Sequence, residues 1–289
     1  MMKQELHNEK PSVVFLIPFA SRKVRSNWRT ASTYLQETLC SIRNSASDNY
    51  RVVVAGNEEP ELEMEFDSKI HFIRLKYSFP LHVDHRVAGR LDKLAKIDAA
   101  WRYAKSNWRP KYVMKLDADD LISSRLVGWL DHAGTEAGYL IRHGWFWRSG
   151  ARYLIHRTEY LDRVCGSSLI IRSDLADRTG PFLTEVEGVI LDEAGSRFAT
   201  TDHYSLVPGS GMTTLLLNDS HQRYASQFSY LGHELYTLPF NGLIYRVSPD
   251  SMAGATGDRV RKFNLRITLG NIRRTRFITQ NLRKEFLLA

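Results

Sequence analysis

The chemistry of this chain concentrates at Asp117-Ala118-Asp119-Asp120, three carboxylates in four residues directly after the apolar stretch Lys111–Leu116. Residues i and i+2 leaving a strand point the same way, so Asp117 and Asp119 can converge on one point. Two carboxylates held together repel unless protons or a cation intervene. A hard divalent ion, Mg²⁺ or Mn²⁺, held by one or two carboxylates and by substrate phosphates, resolves that repulsion. The plainer expectation is a solvated acidic turn capping the helix that follows. Its place just past a buried strand favours the ligand site, because open α/β sheets bind ligands beyond the carboxyl ends of their strands.

The elements that must position this turn are legible in the apolar pattern. Val13–Ile17 is five apolar residues stopped by Pro18, the mark of a strand covered on both faces. Leu35, Leu39 and Ile42 fall at helical spacing and predict an amphipathic helix in roughly 31–46. Tyr50–Ala55 and Ile70–Leu75 read as strands, and Leu94, Ile97, Trp101 and Ala104 form one helical stripe. With Lys111–Leu116 as a fourth strand, this alternation predicts a doubly wound, mostly parallel α/β half over residues 1–122. Residues 123–256 read as a mixed half of the same domain: a short helix through Leu126, Val127 and Leu130, then strand-like pieces. These are Tyr139–Trp147, Tyr153–Ile155, Leu169–Arg172, Val189–Leu191, Thr213–Leu217 and Leu243–Val247. Loops between such pieces usually build substrate sites.

Composition narrows the function classes. Of 289 residues, 43% are hydrophobic and 25% charged, and no apolar run is long enough to cross a bilayer. The polar Met1–Lys10 predicts no secretory signal, and two cysteines, Cys40 and Cys165, staple no scaffold, so a reducing, cytoplasmic setting is expected. The formal charge of +8 comes from the tail, where nine basic residues and no acidic one lie between Arg259 and Lys284. The remaining 31 basic residues face 32 acidic ones, so no nucleic-acid partner is expected for the body. Residues 257–289 predict basic amphipathic helices, with stripes Val260, Phe263, Ile267 and Ile278, Leu282, Phe286. Such helices attract anionic membrane surfaces, here the inner face; the alternative is a helix packed on the body.

An Asp-x-Asp after the fourth strand, an opening Ile-Pro-Phe strand end and Asn57-Glu58 after the second strand together resemble the nucleotide-sugar-dependent glycosyltransferases of the GT-A fold, family-2 type, over roughly residues 12–252. The resemblance implies that Pro18 and Phe19 lie along the nucleoside and that Glu58 meets base or ribose. It places Asp92 and Lys93 beside the nucleotide, where Asp92 can accept from a uracil imide and Lys93 or Arg90 can neutralise phosphate. Alone, Asp92, Lys93 and Lys96 would read as a solvated helical face. Asp117 and Asp119 become the metal ligands, with Arg22 or Arg86 reaching the diphosphate. Gly166-Ser167-Ser168 resembles the small-residue turn between donor (Ser167) and acceptor (Ser168), and Thr201-Asp202-His203 the motif supplying the base.

The implied chemistry is inverting transfer of a sugar from a nucleoside diphosphate donor, probed best as UDP, to a hydroxyl of a glycan or lipid-linked acceptor. A metal would stabilise the leaving diphosphate, and Asp202 would take the acceptor proton, with His203 orienting the acceptor or standing in as base. Thr201 stands where the family usually has Glu, and Ser248 where many relatives have a metal-binding His, leaving His221 or His233 as distant candidates. Trp145 and Trp147 offer a stacking platform for acceptor sugar or, more simply, core aromatics. Other readings are a non-catalytic nucleotide- or glycan-binding protein, a sugar nucleotidyltransferase, whose glycine-rich phosphate loop Ala20-Ser21-Arg22-Lys23 lacks, and a phosphatase, whose Asp-x-Asp would follow the first strand.

Overall fold

The computed structural model describes residues 10–24, 27–76, 85–178, 190–191, 197–199, 217, 221, 224–247 and 272–288. The alternating half forms as its apolar pattern dictates. Strands β1 (Val13–Pro18), β2 (Tyr50–Gly56), β3 (Ile70–Arg74) and β4 (Tyr112–Lys115) lie parallel in the order β3-β2-β1-β4. Successive β1 residues serve opposite faces. Val13, Phe15 and Ile17 pack against Leu35, Leu39 and Ile42 of helix α1 (Trp28–Arg43), while Val14 and Leu16 pack against Ile97, Ala100, Trp101 and Ala104 of helix α2 (His85–Asn107). That double cover is why this strand is apolar throughout. Asn27 starts α1 by accepting the Thr30 N–H at 3.0 Å.

After β4 come the two-residue strand β5 (Leu121–Ile122) and helix α3 (Arg125–His132), then β6 (Gly138–Leu140), β7 (Gly144–Arg148), β8 (Tyr153–Arg157) and β9 (Leu169–Arg172). The expected single piece Tyr139–Trp147 is two strands in two sheets. β9 runs antiparallel to both β4 and β6 and extends the first sheet, which β12 (Tyr236–Thr237) completes as a seven-stranded array. β7 instead pairs with β8 and with β13 (Leu243–Val247). Glycines stand where other backbones approach most closely. A Cβ at Gly138 would lie 2.3 Å from the Ile170 carbonyl oxygen, and one at Gly144 2.4 Å from that of Leu243. β10 (Ile190–Leu191) and β11 (Arg197–Ala199) form a separate antiparallel ribbon. Helix α4 (Tyr224–Tyr230) buries Phe228 in the α2-side core. Of the expected strand Thr213–Leu217, Leu217 alone is described, and it is buried in the same core.

The second sheet has the order β5-β13-β7-β8-β14, where β14 (Thr275–Phe277) pairs antiparallel with β8. The described end of the tail is therefore packed on the body, the second of the two arrangements expected for it. In helix α5 (Gln280–Phe286) and the residue after next, Phe286 and Leu288 are buried with Leu121, Trp145, Trp147, Leu154 and Ile244, and Ile278 and Leu282 pack on them. Glu285 accepts from Ser123 Oγ (2.6 Å) and Arg125 Nε (3.0 Å), and the Asn44 amide donates to the Lys284 carbonyl (2.7 Å). The stripe Ile278, Leu282, Phe286 is thus turned toward protein. The stripe Val260, Phe263, Ile267 lies outside the described residues. Among the described residues no helix is long and apolar enough to cross a membrane.

Candidate functional site

The acidic turn sits at the carboxyl end of β4, at the centre of the first sheet. Its backbone is pinned on one side by Gly166-Ser167-Ser168, whose chain enters β9. The Asp117 N–H donates to Ser167 Oγ (2.9 Å), and Ser167 Oγ donates to Asp120 Oδ2 (2.6 Å), which also accepts from Cys165 Sγ (3.4 Å). Across the turn the Asp120 N–H bonds back to the Asp117 carbonyl at 3.1 Å. Asp120 is fully buried. Burial first, then the charges of Asp119 and Asp117, push its carboxyl well above the usual range. It braces the turn as an acceptor of internal hydrogen bonds.

Asp117 behaves differently. Its side chain is 14% exposed, and Oδ1 meets Lys93 Nζ, from α2, at 2.5 Å. Burial pushes its carboxyl up, but the charge and hydrogen bond of Lys93, then the charges of Lys115 and His221, outweigh this and hold it below the usual range. Burial likewise pulls Lys93 down, yet Asp117, then Asp119 and Asp120, leave its ammonium above its ordinary value. Opposite this pair stands Gly166. A Cβ there would lie 3.4 Å from Asp117 Oδ2 and 3.5 Å from Lys93 Nζ, so the missing side chain leaves that approach bare. Asp119 is buried.

A divalent cation is expected here from the sequence. Among the described residues no group of three or more His, Cys, Asp or Glu side chains could hold a metal. The two carboxylates Asp117 and Asp119 are nevertheless the donor set that suits a hard ion completing its shell with phosphate and water. His221 lies close enough to act on Asp117; burial, then the Lys115 charge, lowers its pKa. His233 instead lines a cavity of about 300 Å³ with Thr135, Arg172 and Tyr236.

The other sequence candidates divide. Glu58 ties down the loop after β1 by accepting from Ser21 Oγ and the Arg22 N–H, both at 3.0 Å, and Arg22 pairs with Glu61 at 3.1 Å on the surface. Asp92 holds Lys96 at 2.7 Å, and Lys96 is fully buried, which corrects the picture of a solvated helical face. Pro18 and Phe19 are buried. The Phe19 ring packs 4.9 Å from that of Trp28, so it belongs to the core and presents no face to a nucleoside. Ser167 and Ser168 are also buried and bonded inward, Ser168 Oγ donating to the Cys165 carbonyl at 2.8 Å, so both help shape the turn.

Of the two readings of Trp145 and Trp147, the burial agrees with core aromatics. Trp145 is 7% and Trp147 6% exposed. Trp145 stacks on His156 at 4.4 Å, and the Trp147 indole N–H donates to the Ala151 carbonyl at 3.0 Å. Asp202 and His203 lie outside the described residues, as do the side chains of Arg86 and Arg90.

Two buried cations at the turn escape the sequence motifs. Lys115, on β4, has its ammonium 5.1 Å from the Tyr224 ring centroid. Arg246, on β13, donates through its backbone N–H to Asp120 Oδ1 (3.2 Å) and through Nε to the Asp119 carbonyl (3.0 Å). The available signal was a charge inside an otherwise apolar strand, Tyr-Val-Met-Lys-Leu and Leu-Ile-Tyr-Arg-Val. Such charges are rarely buried unless paired.

No protein-family model matches the chain, and no curated protein matches it. Among solved structures it is similar to two crystal structures of S. aureus TarS. One shares 13% identity over 82% of this chain and 37% of that one, with a TM-score of 0.44. The other, of TarS residues 1–349, shares 11% identity over 81% of this chain and 60% of that one, with a TM-score of 0.39. The chain thus spans less than two thirds of either, and similarity at this level defines neither donor nor chemistry.

Proposed function

We propose that the end of β4 binds the diphosphate of a nucleotide sugar, and that the protein is a GT-A-like glycosyltransferase acting on a hydroxyl of a glycan or lipid-linked acceptor. The observation that carries this reading is the Asp117–Lys93 pair at 2.5 Å, set at a strand's carboxyl end against the bare approach at Gly166. In it an ionised carboxylate and an ammonium meet the two needs of a diphosphate site, a cation ligand and a phosphate counter-charge.

Asp117 and Asp119 would hold Mn²⁺ or Mg²⁺, which when bound supplies Lewis-acid stabilisation of the leaving diphosphate. Lys93 draws phosphate oxygen toward the turn and Gly166 leaves room for it. Asp92, anchored by Lys96, stands next to Lys93 on α2 and can accept from the base, UDP being the donor of choice to test. Asp202 takes the proton of the acceptor hydroxyl as it attacks the anomeric carbon from the face opposite the diphosphate, which inverts that centre. Membrane attachment, if the tail provides it, rests on residues 257–271, because the later stripe is packed on the body.

The test is a thermal-shift series of the full chain with UDP, with and without Mn²⁺, beside a sugar-transfer assay. A ligand bound by the folded state alone raises the melting temperature. UDP with Mn²⁺ is expected to stabilise the protein more than UDP alone. Asp119→Asn should remove the Mn²⁺-dependent part, and Asp202→Asn should keep binding while losing transfer. A Mn²⁺-dependent shift that survives Asp119→Asn would overturn the metal assignment.

A further inference from the structure

We propose that Arg246 is the positioning residue of the acidic turn, holding the backbone of Asp119 and Asp120 so that the Asp119 carboxylate is presented beside Asp117. The inference rests on the reading of Asp117 and Asp119 as cation ligands. Arg246 is 1% exposed, and a guanidinium so far from water is tolerated when it is fully bonded and its charge matched. Its four bonds run to three separate parts of the chain. Nε donates to the Asp119 carbonyl (3.0 Å), the backbone N–H to Asp120 Oδ1 (3.2 Å), Nη1 to Ser149 Oγ (3.3 Å) and Nη2 to Glu37 of α1. Its plane lies over Tyr34 (4.2 Å to the ring centroid) and Trp147 (4.8 Å).

These contacts complete the grip on the turn. Ser167 and Cys165 hold it from the β9 side through Asp117 N–H and Asp120 Oδ2. Asp119 lies between those anchors, and Arg246 bonds its carbonyl. Fixing that carbonyl fixes the peptide plane and with it the direction in which the Asp119 side chain leaves the backbone. A lysine in the same place supplies charge but no planar fork, so it can satisfy Glu37 and not the Asp119 carbonyl at the same time. The same arginine also explains why Trp145-Phe146-Trp147 is an inward strand, since Trp147 is one wall of the guanidinium slot.

The experiment is a Mn²⁺ titration of the full chain at fixed UDP, at a temperature well below melting, for the natural protein, Arg246→Lys and Glu37→Gln. Arg246→Lys is expected to bind Mn²⁺ about 10- to 100-fold more weakly, the range for groups that orient a metal's ligands. Its UDP affinity without metal should be unchanged, which a merely structural role would not produce. Glu37→Gln keeps the bond to Asp119 and should stay within about threefold of the natural protein. If Arg246→Lys does not fold, Tyr34→Leu with Ser149→Ala loosens the guanidinium without deleting it and should weaken Mn²⁺ about tenfold. Natural Mn²⁺ affinity in a folded Arg246→Lys, or in the loosened variant, overturns the inference while leaving the functional reading intact. A natural protein whose UDP binding ignores Mn²⁺ overturns that reading, and the inference with it.

Discussion

Lys93→Met separates the proposed cation site from the fold more cleanly than removal of either aspartate. The change keeps the length and packing of the stem while deleting the ammonium 2.5 Å from Asp117. Lys93 is 39% and Asp117 14% exposed, so solvent screens part of the interaction. A surface pair of this kind is worth about 0.2–1 kcal/mol. Stranding one partner of a fully buried pair costs about 3–5 kcal/mol. The pair lies between these limits, and the stranded charge faces Asp119 and Asp120. A loss of about 2 kcal/mol follows, or a fall of about 4 °C in melting temperature for a chain of this size.

Mn²⁺ should recover most of that loss. With the ammonium gone, the cation no longer competes for Asp117, and Mn²⁺ binding to Lys93→Met is expected to tighten about tenfold, a change of about 1.4 kcal/mol. At saturating Mn²⁺ both proteins are stabilised, the variant by about 1.4 kcal/mol more, so the gap narrows from about 2 to about 0.6 kcal/mol. The UDP-dependent shift moves the opposite way, because phosphate loses its counter-charge. The pH dependence has a fixed sign. Asp117 is held below its ordinary value, so its contribution is present above pH ~4 and is lost as pH falls through the lower folded value. Lys93 is held above its own, so its part persists up to pH ~10 and is lost beyond. Natural protein and variant should therefore converge only in acid, once pH has fallen through that lowered Asp117 value. Scanning calorimetry with and without Mn²⁺ reads all of this. A deficit that Mn²⁺ leaves untouched, with an unchanged Mn²⁺ midpoint, would refute Asp117 as a cation ligand.

Two further substitutions probe the surroundings. Gly166→Ala places its methyl at ordinary contact distance from Asp117 Oδ2 and Lys93 Nζ, so melting should move by less than ~0.5 kcal/mol. The same methyl fills the approach to the pair, and UDP with Mn²⁺ is expected to bind about tenfold more weakly, measured by titration calorimetry. Phe286→Ala empties the centre of the cluster under the second sheet and should cost about 3 kcal/mol, seen as a fall in melting temperature of about 6 °C. Flotation with anionic vesicles should be unchanged in that variant, since its ring already faces protein.

How far the sequence could be read follows from what each element had to do. β1 was legible because five consecutive apolar residues have one use, burial on both faces, and the two cores that share its alternate side chains confirm it. α1, α2 and β4 were legible from local periodicity. The second sheet was not, since its pairings join distant segments: β13 to β5 across 120 residues, and β14 to β8 across a similar span. No local pattern records them. In sequence Phe19 reads toward the ligand, and Trp145 and Trp147 stand between ligand and core, for a related reason. An aromatic at a strand end looks the same in sequence whether it meets a ligand or, as here, Trp28, His156 and the Arg246 slot.

In sequence the acidic run reads as Asp117 and Asp119 converging on one cation, with no role for Asp120, and the fold makes all three carboxylates unequal. Asp120 is buried, kept toward its neutral form and spent on Ser167, Cys165 and the Arg246 backbone. Asp119 is buried with its carbonyl held by a guanidinium. Asp117 alone among the three combines a side chain that reaches solvent, a carboxyl held toward its ionised form and a counter-ion on a flexible stem. A ligand can displace Lys93 without unpicking the turn, whereas it cannot displace the Arg246 side chain without stranding Glu37 and the Asp119 carbonyl. The distribution of charge therefore divides the turn into a fixed part, Asp119 and Asp120 against Arg246, and an exchangeable part, Asp117 against Lys93. An incoming cation and diphosphate have a reason to engage the second, because there the cost of leaving the resting pair is smallest.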